Sequence, residues 1–415
     1  MKRVLVLAAT TGYQTRSFGD AAARLGVELL FATDRCHVID DPWQDGAVPI
    51  RFYDEAGSVA TILDRTRTRP VDGILVVGDR PTVIAARVAE ALGLPGHPPA
   101  AAAAAGHKRL TRERLRDAGL KVPDFTAPRF PCVVKPVALT GSRGVIRADD
   151  PASLDTAIER VRAILTSVDV RNERNGSHQE ILIEEFIPGH EFAVEGVLHH
   201  GRLYVLAIFD KPDALDGPFF EETIYVTPPP LDAAARQAIE AAVAGAAHAI
   251  GLHHGPIHAE CRVATDGVYV LEVAARPIGG LCARAVRFTG GETFEEMLLR
   301  HAVGESPARW RREEAARGVM MIPIPRRGVL RGVDGVDQAR RIDGVEDVQI
   351  TAKLDQVLIP LPEGASYLGF IFAGAANASD VTRALRDAHR ALRVAIDPEL
   401  PMLTSSALQY NHHHG

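Results

Sequence analysis

Lysine is scarce in this chain. Of 47 basic residues six are lysines (Lys2, Lys108, Lys121, Lys135, Lys211 and Lys353), so arginine serves almost wherever a cation is needed. Each remaining lysine raises the question of why arginine was not used. A compact ammonium on a flexible stem suits a crowded phosphate site better than a planar fork does. Cysteine is scarcer still. Cys36, Cys132, Cys261 and Cys282 are far apart and form no CxxC pair, which argues against a disulfide framework and for reduced, mostly buried thiols in a cytoplasmic protein. No run of about 18 uncharged apolar residues exists, which excludes a membrane-spanning helix. Net positive charge is missing: the formal charge is −6, which gives no support for nucleic-acid or anionic-membrane partners. The turn "AATTGYQ" lacks GxGxxG, so a dinucleotide site there has little support. The opening "MKRVLVLAATTGYQ" has a short apolar run and no cleavage site, so it reads as a first β-strand and not a signal peptide.

What is present describes a globular chain. Hydrophobic residues make up 46% and charged residues 24% of 415, enough for about two to four domains with cores of their own. "KRVLVLA", "VELLFAT" and "VDGILVVGD" are strands that alternate with the helical "SFGDAAARLG", "VATILDRTRTRP" and "PTVIAARVAEALGLPG". That alternation indicates a Rossmann-like parallel α/β domain over residues 1–105. The Pro and Ala run from Pro98 to Gly106 reads as a boundary. It precedes an amphipathic helix, "HKRLTRERLRDAG", with Leu110 and Leu115 on one face. From Phe130 the strands "FPCVVKPV", "GVIRA", "ILIEEFI", "HEFAVEGVLHHG" and "RLYVLAIFD", with one inserted helix, give an antiparallel α+β region. It runs through a long alanine-rich helix into two acidic strands, so the second domain is 106–303. The strands "GVMMIPIP", "VEDVQI" and "YLGFIFAGA" and the helix "ASDVTRALRDAHRALRV" form a small α+β domain over 304–402. The tail 403–415, ending "QYNHHHG", reads as disordered. There is no internal repeat.

Three stretches carry chemistry. In "PCVVKPVALTGSRGVIRA" a lysine sits inside an apolar strand before a loop with Gly141, Ser142 and Gly144. Backbone N–H groups of such a loop can wrap an anion while Lys135 adds a point charge; the ordinary alternative is a hairpin with an edge lysine. In "ILIEEFIPGHEFAVEG" a strand ends in Glu184 and Glu185, turns, and resumes at Glu191. This hinge exposes backbone groups that can pair with a purine edge, and Glu191 can accept ribose hydroxyls; a surface turn with solvated acids is the alternative. In "HAECRVATDGVYVLEVAARPIGG" Glu260 and Glu272 stand on two apolar strands, where a carboxylate is costly unless its charge is compensated. The pair is a hard-oxygen site, and Mg²⁺ typically takes one or two carboxylates and fills its octahedron with water and nucleotide phosphates. Arg276 can stabilise a transferring phosphoryl group or hold a substrate carboxylate. "PIGGLCARAVRF" then opens a helix, with Gly279 and Gly280 leaving N–H groups free for an anion. The alternative is an acidic hairpin paired with Arg262 or Arg276. His253, His254 and His258 with Glu260 lack H-E-x-x-H spacing and read as turn and strand rather than a zinc site. No cysteine has the context of a nucleophile.

The order of these motifs, a Lys–Gly loop, an acidic hinge and an acid pair, resembles the ATP-grasp superfamily of carboxylate–amine ligases. The resemblance covers Lys108 to Thr289, and the flanks resemble the N-terminal α/β and C-terminal domains of that family. It implies an ATP-grasp fold, with a mobile lid over about 130–183 on an antiparallel-sheet core. It implies that Lys108 and Lys135 contact the α- and β-phosphates, and that Thr140, Gly141, Ser142 and Gly144 close over the triphosphate. Glu184, Glu185, Phe186 and Ile187 would hold adenine through the backbone, Glu191 the ribose, and Glu260 and Glu272 two Mg²⁺ ions, with Mn²⁺ as a substitute. Arg276 would stabilise an acyl phosphate. One position departs: these ligases often carry Asn two residues after the second acid, and here it is Ala274, so one metal ligand is missing or supplied elsewhere. The Arg four residues after the acid, the Gly pair, and "DKPDALDGPFFEETIYVTPPP" look closer to the L-amino acid ligases. There Lys211 would neutralise the γ-phosphate, and Glu221 or Glu222 would hold a substrate ammonium or a metal. The implied activity is ATP-dependent joining of a carboxylate, that of an amino acid, to an amine, by a homodimer acting on small molecules. Two other readings keep the ATP site: activation of formate or bicarbonate, as in purine or biotin chemistry, and a non-catalytic ATP-binding regulator. Ala274 supports the regulator; Lys135, Glu260, Glu272 and Arg276 together oppose it.

Overall fold

The computed structural model describes residues 1–9, 12–34 and 47–399; Cys36 and the 403–415 tail lie outside them. Strands β1 (Arg3–Ala8), β2 (Glu28–Thr33), β3 (Val48–Pro49) and β4 (Gly73–Val77) form a parallel sheet in the order β3-β2-β1-β4. Every residue of β1 is buried, as helices on both faces of a parallel sheet require. Leu5 and Leu7 pack with Ile62 of the helix Glu55–Arg67 and with Ile84 and Val88 of the helix Thr82–Leu92. Val4 and Val6 face the opposite way, toward Phe18 and Ala21 beyond β1 and toward the rest of the molecule.

The alanine run is packed structure rather than a loose linker. It is a helix, Pro99–Ala105, with proline in its first turn and Ala101, Ala102, Ala104 and Ala105 buried. Alanine is the strongest helix former and its small side chain lets neighbours approach closely. On the next helix, Lys108–Asp117, the buried face carries Thr111, Arg112 and Leu115, and Leu110 is exposed. Five residues of α-helix turn a side chain well away from its starting face, so Leu110 and Leu115 do not share one.

Strands β5 (Cys132–Pro136), β6 (Ile146–Ala148) and β7 (Ile181–Glu185) make a small antiparallel sheet in the order β6-β5-β7. The helix Pro151–Leu165 covers it, started by an Asp150–Ser153 capping box. The large sheet has eight strands. Its first part is β8 (His190–His199), β9 (Arg202–Asp210), β10 (Ile224–Thr227), β11 (Gly255–Ala264) and β12 (Gly267–Ala274). It continues through β13 (Ala316–Ile322), which pairs with β10, and then through Gly369–Ala375 and Val345–Ile350. The segment from residue 304 joins the core through this sheet. It adds a three-stranded sheet and the helix Ala378–Ala391. Among the described residues no helix is long and apolar enough to cross a membrane.

The alternation of the large sheet decides what faces the site. Phe192, Val194, Ile257, Ala259 and Cys261 pack with Ile239, Val243 and Ala246 of the helix Ala233–Ile250. Ala193 and Val197 face the other way and pack with Val4 and Val6. With a side-chain period of two, Glu191, Glu195, His258, Glu260 and Arg262 share that second face.

Candidate active site

A cavity of about 560 Å³ opens where the N-terminal sheet, the small sheet and the second face of the large sheet meet. Its lining includes Asp79, Lys108, Lys135, Thr140, Gly141, Ser142, Glu191, Glu222, His258, Glu260, Glu272, Arg276, Gly279 and Gly280. Strand register places the acids. Glu260 pairs across the ladder with Ala193 on one side and with Glu272 on the other, His258 with Glu195, and Arg262 with Glu191. A β-bulge at Leu271 sets Glu260 beside Glu272 and Cys261 beside Val270. The extra residue shifts the alternation of β12, so Val270 and Val273 both reach the core while Glu272 faces the cavity.

Lys211 stands behind this face. Its ammonium donates to Glu191 at 2.7 Å, to Glu260 at 3.1 Å and to Glu222. It is buried and does not line the cavity. The sequence reading placed it at a γ-phosphate; here three carboxylates engage its donors. Glu191 is held from both sides: Lys211 bonds one oxygen and Arg262 Nε the other at 2.8 Å, which leaves less of it for a ribose than the sequence suggested. Glu222 and Glu260 share what remains. Burial, and then repulsion from Glu260, raise the Glu222 carboxyl to about 7. Burial opposes the Glu260 charge too, but Lys211 and His258 outweigh it and hold that carboxyl well below its usual range. A site in which one of two adjacent acids takes up a proton near neutrality has more negative charge than its cations balance. One oxygen from each of Glu191, Glu222 and Glu260 lies within 4.8 Å of the others. This hard-oxygen set fits Mg²⁺. Glu272 is not part of the cluster; its carboxylate lies 3.2 Å from Lys108 Nζ. Glu221 does not line the cavity.

Lys108, Lys135 and the loop Thr140–Ser142 line the cavity. Lys108 Nζ also donates to the Leu139 carbonyl at 2.8 Å, which ties the helix it begins to the loop. Gly141, Ser142 and Gly144 all have positive φ, the conformation that curls a backbone around a small space. The Gly144 N–H is already used, on the Pro362 carbonyl at 2.9 Å, and Gly144 does not line the cavity.

The acidic hinge departs further from expectation. Glu184, Glu185, Phe186 and Ile187 do not line the cavity. The Glu185 N–H donates to the Asp124 carbonyl and the Phe186 N–H to the Pro131 carbonyl, and the Ile187 carbonyl accepts from Arg262. Glu184 is a buried ion-pair partner: Arg112 grips both its oxygens, at 2.7 and 3.0 Å, and Lys135 bonds one. Burial by itself raises the Glu184 carboxyl, but Arg112 and Lys135 outweigh it and hold it at about 2. Because this pKa is depressed relative to the unfolded chain, the stability it contributes is complete above about pH 4.5 and is lost as pH falls toward about 2. Glu184→Gln is expected to destabilise the protein by about 3–5 kcal/mol at pH 7, since two buried cations lose their partner. It should also flatten the loss of stability on acidification. Denaturant midpoints of parent and variant between pH 7 and about 2 check both effects; parallel pH curves below about pH 4.5 would rule out this role.

Arg276, 8% exposed and also on the lining, donates from Nε to Asp79 at 2.9 Å and from Nη1 to its neighbour's carbonyl, Pro277, at 3.1 Å. Burial works against its charge, and Asp79 more than offsets this. Gly279 and Gly280 follow on the lining, but the helix expected after them is a short 3₁₀ turn, Cys282–Ala285. His258 Nδ1 meets Glu195, whose other oxygen accepts the Ile278 N–H at 3.0 Å. Burial lowers the imidazole, but Glu195 lifts it to about 9. Sequence reasoning had missed Asp79, Glu195 and His258 as parts of this site. Asp79 could have been found as the carboxylate that ends β4 in "VVGD", at the mouth of a parallel sheet where ligands bind.

Comparison with known proteins agrees with this architecture. The profile of the ATP-grasp domain matches residues 128–285, that of the ATP-grasp N-terminal domain residues 19–96, and that of the L-amino acid ligase C-terminal domain 2 residues 320–397. An uncharacterized protein of Sinorhizobium fredii is 23% identical, over 96% of this chain and 84% of that protein. Alanine–anticapsin ligase of Bacillus subtilis is 27% identical over 52% of this chain, and the match spans about half of that enzyme, 50%. The crystal structure of L-amino acid ligase from Bacillus licheniformis superposes with a TM-score of 0.78 at 27% identity, over 96% of this chain and 99% of that one. The three profiles follow one another along the same strands that build the cavity, and on that ground the chain belongs to the ATP-grasp superfamily.

Proposed function

We propose that the protein is an ATP-dependent ligase that joins the carboxylate of an amino acid to an amine through an acyl phosphate, releasing ADP and phosphate. The observation that carries this reading is one cavity lined by both cations and carboxylates. Lys108, Lys135, the Thr140–Ser142 loop and Arg276 line it together with Glu222, Glu260 and Glu272. A carboxylate and an amine do not condense in neutral water without activation. Phosphorylation of the carboxylate oxygen places negative charge near Arg276, and that charge must be neutralised in place. In this reading Lys108 and Lys135 neutralise nucleotide phosphates. Glu222 and Glu260, with Glu272 near, hold Mg²⁺, which supplies charge neutralisation on the phosphates when bound. Arg276, fixed by Asp79, takes the charge that develops on the acyl phosphate. His258, kept cationic by Glu195, adds a second donor on the same wall. The small sheet and its loop would exclude water from the intermediate, which makes them the lid. Alanine–anticapsin ligase and L-amino acid ligase support the choice of amino-acid substrates, and a homodimer belongs to the same proposal.

Phosphate release with Mg·ATP across pairs of amino acids, with mass detection of products, tests the reading. Release that needs two amino acids, with a dipeptide formed, is the expected result. Release with one amino acid and another amine would narrow it to a specialised amide synthase. Tight ATP binding with no release from any pair would overturn it in favour of a regulator.

A further inference from the structure

We propose that His199, His254 and His301 form a binding site for a divalent transition-metal ion, zinc foremost, at the far end of the strands that carry the carboxylate cluster. The three residues come from separate elements. His199 ends β8, His254 stands immediately before β11, and His301 lies in the last turn of the helix Phe294–Ala302. One ring nitrogen of each lies within 4.8 Å of the other two. His199 Nδ1 and His301 Nε2 are 3.2 Å apart, and the rings of His254 and His301 stack at 4.4 Å. His254 and His301 are buried, whereas His199 is partly exposed and gives an ion a way in.

The surroundings separate this trio from histidines that only pack. His97, nearby, has both nitrogens engaged: Nδ1 accepts the His253 N–H at 3.1 Å and Nε2 lies 3.3 Å from the Pro256 carbonyl. His254 has only a long contact, its Nδ1 accepting the His200 N–H at 3.4 Å, which an ion would readily replace. His254 and His301 are buried among other imidazoles, where the neutral ring is favoured. Neutral imidazole is the form that ligates a metal. Three nitrogen donors with a fourth position open match zinc coordination, whose Zn–N bonds are about 2.0–2.1 Å, so a bound ion would draw the three nitrogens together. Nitrogen donors also select against Mg²⁺, which takes oxygen. The site is thus chemically distinct from the carboxylates in the cavity. An ion here would clamp the helix bearing His301 to the ends of β8 and β11.

The sequence alone had set His254 beside His253, His258 and Glu260, because those are its neighbours along the chain. The fold separates His258, which pairs with Glu195, and joins His254 to residues 55 before and 47 after it.

Co²⁺ titration followed by visible absorption tests the site, in excess Mg²⁺ so that the carboxylates are occupied. His412, His413 and His414 are changed to Ser throughout so that the tail contributes nothing. One equivalent of Co²⁺ should bind, be displaced by Zn²⁺, and raise the thermal midpoint. His301→Gln should weaken binding by at least about tenfold. His199→Gln, at the more exposed ligand, should do the same and carries the test if the first variant misfolds. Absence of saturable binding in excess Mg²⁺, or equal binding by the parent and a folded variant, would overturn the proposal.

Discussion

Replacing Lys211 with methionine should destabilise the metal-free protein by about 3–5 kcal/mol, abolish turnover, and make stability respond to Mg²⁺ more strongly than the parent does. The first figure is the usual cost of removing one partner from a buried ion cluster. Lys211 is 3% exposed and is shared by Glu191, Glu222 and Glu260. Methionine matches its length without the charge. Glu191 would keep Arg262, so the loss falls on Glu222 and Glu260, which already compete for protons. Their carboxyls would both be pushed upward, and the pair would take up a proton at neutral pH or bind a cation. A divalent ion then has no ammonium to compete with, and any ligand that binds only the folded state stabilises it by mass action. Thermal midpoints with and without Mg²⁺, in the absence of nucleotide, read this directly. A variant as stable as its parent, or one no more responsive to Mg²⁺, would show that Lys211 does not balance the carboxylates.

The way this cluster forms explains how much of the molecule could be read from sequence. The strand β1 was legible because six consecutive residues are buried on both faces of a parallel sheet. The antiparallel strands from Cys132 to Ala274 other than β10 were legible as apolar runs between turns, and so was the pairing of the two acidic strands, which only the short turn after Ala264 separates; β10, four residues inside an acidic and proline-rich stretch, was not. What Glu260 touches was not legible. Its partners come from the start of β8, from the residue after β9 and from the strand-free stretch before β10, and no spacing encodes such an encounter. The bulge at Leu271, which turns Glu272 toward the cavity, has no signal in "VYVLEVA". The side chain of Glu184 was equally hidden from the sequence. An acid at a strand end reads as solvated, whereas Arg112 from a distant helix bonds both its oxygens. The alanine run misled for a different reason: Pro98–Gly106 has the composition of a linker, and only its burial shows it to be a packed helix.

Arg276→Ala should lower kcat by about 10²–10³-fold, equivalent to about 2.7–4 kcal/mol of transition-state stabilisation, with a smaller change in KM. The argument rests on where the charge appears. Both substrates can bind before the phosphoryl group moves, but the acyl phosphate adds negative charge only afterwards, so a guanidinium aimed at that position acts mainly on the transition state. Arg276 is suited to this because it is buried, its Nε is spent on Asp79, and it lines the cavity. Arg276→Lys should recover little, since a lysine cannot hold Asp79 and reach the cavity in the same planar arrangement. Asp79→Asn is the informative companion. The amide keeps the size and an acceptor oxygen but removes the charge that holds the guanidinium, so a loss of about tenfold in kcat is expected with the fold intact. Asp79 follows β4 of the N-terminal sheet, 197 residues before Arg276. Catalysis in this reading therefore depends on that sheet staying docked against the large one. A kcat unchanged in Arg276→Ala would remove its electrostatic role. A change confined to KM would reassign Arg276 to holding the substrate carboxylate.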